Sequence, residues 1–394
     1  MNTAQQVRLA DEAEVITKGT TPTTLGFKFE SDGVPFVRAQ NLVDGTVSIE
    51  VDPLYISQAT HEALKRSQIL PADVLVSIAG TIGRTAVVPD EVGPMNCNQA
   101  VAIIRPSGRI DRRFLLHWFS SNDARSQVAK SKVTATISNL SLSEIGNLNI
   151  PLPPLSEQRR IAAILDKADT LRRKRKRAID LLDSLTQSIF LKIGQTDHAV
   201  ERKIGSFARV LGGKRLPKGH DYVEVETGFK YLRVTDLQDL SLDYSTLKNL
   251  SPETYSAIKR YTVREDDVVI SIAGTIGQTR HIDASLDGVN LTENAAKIVL
   301  NADAQVDPVY LEHALRSEQC QNDIRASTGQ VTIGKLALFR IEELSVPLPS
   351  LGAQKAFRSS VDCLGSVRRR YVDARAKMES LFYSLQLCAF SGRL

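Results

Sequence analysis

Leu75–Val88 reads LVSIAGTIGRTAVV, and Val269–Ile282 reads VISIAGTIGQTRHI. Each is a short β-branched run that ends at glycine, the pattern of a buried strand entering a tight loop. Gly80 and Gly274 are 194 residues apart. Further along, Ile150–Gln158 reads IPLPPLSEQ and Val346–Gln354 reads VPLPSLGAQ, with Pro151 and Pro347 196 residues apart. A tandem repeat in that frame predicts internal pseudo-two-fold symmetry, which suits a molecule that reads two places on one long ligand.

The same order of features runs outward from these stretches in both halves. Gly19–Pro22 (GTTP) corresponds to Gly213–Pro217 (GKRLP), a turn before the first strands. Alternating apolar residues predict strands over Pro35–Leu42 (PFVRAQNL) and Lys230–Leu237 (KYLRVTDL), with Arg38 and Arg233 equivalent. Short amphipathic helices are expected over His61–Ser67 and Thr254–Arg260, and surface helices over Phe114–Val128 and Tyr310–Ile324. After each PLP the texture changes. A heptad frame places Ile161, Ile164, Ala168, Leu171, Arg175, Ala178, Leu182, Leu185, Ile189 and Lys192 on one seam. Phe357, Ser360, Leu364, Val367, Tyr371, Ala374, Met378, Leu381, Leu385 and Cys388 form the equivalent seam. The fold class is therefore α+β: two pseudo-symmetric mixed α/β domains separated by two long antiparallel coiled-coil helices. The expected boundaries are 1–154 and 196–350 for the domains, 155–195 for the central helix and 351–394 for the distal one.

Composition agrees with two globular units, since 394 residues exceed what one hydrophobic core usually serves. The longest apolar runs, such as Ala100–Ile104, are far shorter than a membrane span, and MNTAQQVRLADEAE at the start lacks a signal-peptide profile. No membrane association and a cytoplasmic location are expected. Cys97, Cys320, Cys363 and Cys388 form no C-x-x-C pair and read as buried free thiols.

Enzyme chemistry is not found in the sequence. Gly212-Gly213-Lys214 resembles a phosphate loop, but Ala208 stands where G-x-x-x-x-G-K needs glycine and Arg215 where Ser or Thr would bind magnesium. There is no H-E-x-x-H, no N-P-P-Y-type tetrapeptide and no glycine-rich dinucleotide fingerprint, so neither catalytic nor metal-ligating residues are assigned. A binding architecture remains. Two diverged domains on a rigid spacer can read two half-sites, as dimer spacing does in helix-turn-helix proteins. Ser156–Leu191 as helix is about 54 Å long, or roughly 16 base pairs of duplex as an upper limit. The basic block Arg172, Arg173, Lys174, Arg175, Lys176 and Arg177, with Arg368, Arg369 and Arg370 in the other helix, is suited to phosphates between half-sites or to an acidic partner surface.

These residues resemble the specificity subunits of type I restriction-modification enzymes. The resemblance covers essentially the whole chain and is most specific over Pro151–Asp169 (PLPPLSEQRRIAAILDKAD); the two SIAGTIG loops also match that family's target-recognition domains. The distal copy departs from it, with Gly352-Ala353-Gln354 in place of Ser156-Glu157-Gln158. The resemblance implies a non-catalytic reader of double-stranded DNA that recruits two modification (methyltransferase) subunits and restriction (translocase/nuclease) subunits. It implies no cofactor in this chain, with S-adenosylmethionine, ATP and Mg on the partners.

The domains should differ where they discriminate bases, so the expected base readers are Gln40, Asn41 and Arg84 in the first domain and Thr235, Asp236, Gln278 and Arg280 in the second. Arg38, Thr81, Arg233, Thr275, Lys214 and Arg215 are expected to contact the DNA backbone or to act as scaffold. An autonomous DNA-acting enzyme and a non-reading structural scaffold are the alternatives.

Overall fold

A computed structural model describes residues 5–132, 139–196, 199–238, 242, 244–328 and 334–394. They form two compact units: residues 1–176 with 373–394, and residues 177–372. The mixed α/β fold class with a long central and a long distal helix is present, but the units divide each long helix midway. The central helix, Leu155–Thr196, and the distal helix, Leu351–Phe390, each give one half to each unit.

In the first unit a six-stranded sheet runs in the order Ala13–Lys18, Val101–Pro106, Val74–Ser77, Thr85–Val87, Gly45–Val47, Leu42–Val43. Val74–Ser77 is wholly buried, which is what its β-branched run foretells. Gly45–Val47 pairs in parallel with Thr85–Val87, bringing the segment after Arg38 beside the return strand of the SIAGTIG loop. A smaller sheet pairs Met95–Cys97 in parallel with Val34–Val37.

The second unit repeats the plan. Its main sheet runs Ala208–Gly212, Ala295–Leu300, Val268–Ser271, Thr279–His281, and Lys230–Leu232 pairs in parallel with Asn290–Leu291. In each unit a strand just before the long helix, Asn149–Pro151 or Ser345–Leu348, pairs antiparallel with the strand that opens the domain.

Several local expectations change. The strands over 35–42 and 230–237 stop at Val37 and Leu232, and short 3-10 turns follow at Ala39–Asn41 and Val234–Gln238. The surface helices are each broken in two, into Arg112–Phe119 with Asn122–Lys132 and Pro308–Arg316 with Glu318–Thr328. Cys97 and Cys320 are buried, and burial pushes the Cys320 thiol up to about 12, whereas Cys363 is exposed and Cys388 half-buried.

Within each unit the two helix halves pair antiparallel. Ile161, Ala162 and Leu165 share a core with Phe382 and Ala389 in the first unit, and Phe190 shares one with Phe357 in the second. The buried positions near the start of the central helix are 158, 161, 162, 165 and 169. That stripe is wider than a two-residue seam, because the helix packs against the domain as well as the other helix. Seam positions Leu171, Leu185 and Leu381 are accordingly 48%, 46% and 57% exposed.

Candidate nucleic-acid interface

The SIAGTIG loops are built alike. Ser77 Oγ donates to the carbonyl of Thr81 and accepts from the backbone N–H of Arg84 at 2.8 Å. Ser271 Oγ donates to the carbonyl of Thr275 and accepts from the N–H of Gln278 at 2.9 Å. One hydroxyl thus closes each turn from inside. Gly80 and Gly274 lie at φ 69° and 75°, the left-handed region, so glycine there is a backbone requirement.

The scaffold leaves Thr81, Arg84 and Thr275 exposed and Gln278 half-exposed. The Arg84 guanidinium makes no hydrogen bond or ion pair among the described residues. The two serines were not singled out by sequence reading. Their signal was identity at matched repeat positions with a side chain able to bridge the turn.

The neighbouring segment corrects two of the expected base readers. Asn41 is 2% exposed; its amide donates to the carbonyls of Ser48 and Val51 at 3.0 and 2.6 Å and its Oδ1 accepts from Arg38 N–H at 2.7 Å. Asp236, also buried, accepts from Arg233 N–H at 2.8 Å and pairs with its guanidinium at 2.6 Å. Both side chains are consumed by the same local task, so neither presents an edge to a base. They differ between copies because amide and carboxylate oxygens accept that N–H equally well.

Arg38 pairs with Asp52 at 2.7 Å and Gln40 donates to the same carboxylate at 2.7 Å, while Thr235 is exposed. Both arginines are thus held by carboxylates nearby in sequence, Arg38 by Asp52 and Arg233 by Asp236. Lys214 and Arg215 are exposed, Arg215 with an ion pair to Glu293 at 2.7 Å. Arg280 sits away from the loop tip, on strand Thr279–His281, and lines a hollow of about 580 Å³ with Arg316, Arg368 and Arg369.

Each domain is clamped to its long helix by a glutamine. Gln158 is fully buried: its Oε1 accepts from Asp111 N–H at 2.8 Å, and its Nε2 donates to the carbonyls of Arg109 and Pro153, both at 2.9 Å. Gln354 repeats this with Asp307 N–H at 2.8 Å and the carbonyls of Gln305 and Pro349 at 3.2 and 2.8 Å. Asp111 and Asp307 in turn cap the helices that begin at Arg112 and Pro308. The proline bracket supplies a carbonyl and the glutamine reads it, which gives a physical reason for the repeated PLP-x-L-x-x-Q. The distal copy keeps the clamp while Gly352 and Ala353 replace Ser156 and Glu157.

The model for the type I restriction modification DNA specificity domain matches residues 1–181 and 197–362, one copy over each half of the repeat. The chain belongs to that family. Across 98% of this chain and 85% of the relative, it is 24% identical to the EcoBI type I restriction enzyme specificity subunit of Escherichia coli. It is 22% identical to the EcoKI specificity subunit of Escherichia coli strain K12, over 93% of this chain and 83% of that one. Among solved structures, the S subunit of a type I restriction-modification system from M. genitalium aligns with a TM-score of 0.60 at 15% identity, covering 99% of this chain and 96% of that one. A chain from a study of complex assembly and conformational transition in the type I R-M system aligns at 0.56 and 18% identity, covering 100% and 99%.

In this specificity-domain chain the basic block is not a uniform solvated face. Arg172 pairs with Asp169 at 2.7 Å and with Glu379 at 2.8 Å, and its guanidinium carbon lies 4.4 Å from the Phe382 ring centre. Arg173 turns to Asp169 and to the carbonyl of Asp44. One repeat later, Arg368 pairs with Asp183 at 2.7 Å, the counterpart of Arg172 with Glu379. Lys174, Lys176, Arg177, Arg369 and Arg370 are exposed, and Arg175 is half-buried. Among the described residues no group of three His, Cys, Asp or Glu is placed to hold a metal ion, and no helix is long and apolar enough to cross a membrane.

Proposed function

We propose that this chain is the DNA-reading, non-catalytic subunit of a type I restriction-modification complex, each domain reading one half of an asymmetric bipartite site. One observation carries the reading: two loops with the same Ser-closed scaffold differ at the residue the scaffold projects, Arg84 in one and Gln278 in the other. Arginine is the natural partner of guanine N7 and O6, and glutamine of adenine N6 and N7, in the major groove. Thr235 is the further candidate reader in the second domain, while the exposure of Thr81, Thr275 and Lys214 supports a role at the DNA backbone. The two long helices set the gap and dock two modification subunits, which bring S-adenosylmethionine. Restriction subunits bring ATP and Mg.

The test is to sequence the source genome with modification-sensitive reads before and after deleting the gene. One gapped, asymmetric methylated motif should vanish; an unchanged pattern overturns the reading. Arg84→Gln should then relax one position of one half-site, at a cost of about 1–3 kcal/mol for its guanine, and leave the other half-site intact. Inserting four residues in the central helix adds about 6 Å and should widen the gap by roughly two base pairs.

A further inference from the structure

The first unit contains a hollow of about 320 Å³ where the end of the SIAGTIG loop, the helix Asn122–Lys132 and both long helices converge. Gly83 of the loop and Thr85 of its return strand form part of its wall. Five cations line it: Arg125, Arg172, Arg173, Lys176 and Arg375. Its three acids are Asp44, Asp169 and Glu379. Asp169 is taken by Arg172 and Arg173, and Glu379 by Arg172.

The remaining cations come from three different helices and are left with little compensation. Arg125 and Lys176 are exposed and their side chains make no hydrogen bond or ion pair among the described residues, and the nearest carboxylate to Arg375 is Glu379, at 3.9 Å. Like charges gathered in a concave site repel one another and raise the local concentration of anions.

The repeat supplies an internal control. One period of 196 residues away, the positions of Arg125, Lys176 and Arg375 are held by Gln321, Val372 and Ile179. The hollow at the equivalent place in the second unit is also basic, but none of its cations comes from these three positions. The three charges are therefore a property of the first unit and not of the shared scaffold.

We infer that this hollow is a phosphate-binding site peculiar to the first unit, built by Arg125, Lys176 and Arg375. Its position beside the SIAGTIG loop favours a phosphodiester of the duplex that the loop reads. In that case the first unit supplies more of the sequence-independent, salt-sensitive affinity than the second. The assignment to DNA rests on the function proposed above; the assignment of a phosphate site does not.

The experiment uses the full chain and has two arms. In the first, binding to a 30-base-pair duplex of mixed sequence is measured against salt for the parent, for Arg125→Gln/Lys176→Gln/Arg375→Gln, for charge-preserving Arg125→Lys/Arg375→Lys, and for a control that neutralises exposed Lys203, Arg209 and Lys355. Each lost phosphate contact lowers the slope of log K against log salt by about 0.9. The triple variant should lose about one to two units, with the charge-preserving variant and the control near the parent.

In the second arm, inorganic pyrophosphate is titrated calorimetrically into the parent and the triple variant without DNA. A slope loss assigns the site to the DNA backbone. An unchanged slope with pyrophosphate binding that the triple variant abolishes assigns it to free phosphate anions. An equal slope loss in the control, or no change in either arm, overturns the site. A parent chain that binds no duplex sinks the proposed function and leaves the hollow to the pyrophosphate arm alone.

Discussion

The two units seat the same helices with different chemistry. In the first, Asp166 of the central helix receives Arg113 Nε at 3.1 Å and His117 Nε2 at 2.7 Å, and Gln386 of the distal helix donates to Ser120 Oγ at 2.8 Å. In the second, the corresponding place is filled by rings: Phe190, Tyr310 and Phe357 have centroids 5.1 to 5.7 Å apart, and His313 lies 4.9 Å from Phe357. Phe190 is the repeat partner of Gln386, and Val309 that of Arg113. A duplicated joint can therefore diverge from polar to aromatic while the backbone plan and the glutamine clamp stay fixed. What the clamp holds is common to both halves, and what surrounds it is free to drift.

The largest effect that separates the halves should come from Phe357→Ala. Removing a fully buried ring from the aromatic joint costs about 3–5 kcal/mol. Hydrogen exchange resolved by segment should show the loss in residues 177–372 and little change in the first unit; an equal loss in both would mean the joints are not independent. Gln158→Ala comes next. It strands the Asp111 N–H and two carbonyls in a buried setting, for about 3 kcal/mol. Gln354→Ala should cost the same in the second unit, and a large inequality would refute the clamp as a shared device.

Acid should sharpen the contrast. Burial pushes the Asp166 carboxyl up, but hydrogen bonds from His117 and Arg113 outweigh it and hold it at about 2, below its ordinary 3.8. Folding thus favours the ionised form, and the stability this gives is complete above the ordinary value and lost as pH falls from 3.8 towards about 2. Burial also pushes the His117 ring down, although Asp166 opposes it, so Arg113 supplies the formal positive charge at neutral pH. On acidification through this window the amides of Arg112–Phe119 should exchange faster, and Asp166→Asn should flatten that response. The smallest effect belongs to the exchanged ion pairs, Arg172 with Glu379 and Arg368 with Asp183. Partly exposed as they are, double-mutant cycles should return about 0.5–1 kcal/mol for each.

Much of the architecture was legible because the chain states it twice. Strand Val74–Ser77, the glycine loop and the PLP bracket are local patterns, and their recurrence at a fixed period gave the two domains and two helices. The site was less legible. Difference between copies was read as discrimination, which fails at Asn41 and Asp236 because two residue types can accept the same backbone N–H. The heptad frame places Leu171 and Leu381 on a seam and misses Leu165 and Phe382, because sequence periodicity does not reveal that a helix has a domain as well as a helix for a neighbour. The basic block reads as one face in sequence, but Arg172 and Arg173 turn inward to an aspartate that lies three and four residues before them.

The division of the helices also sets an order of completion during synthesis. The second unit is continuous, residues 177–372, whereas the first takes Phe382 and Ala389 into its core from the far end of the chain. The half that leaves the ribosome first is therefore the half that closes last. At about 5–20 residues per second, Ile161, Ala162 and Leu165 wait roughly ten seconds or more for the segment that covers them. A chain stopped short of residue 373 would carry the whole of the second unit and a first unit whose apolar wall lacks Phe382 and Ala389.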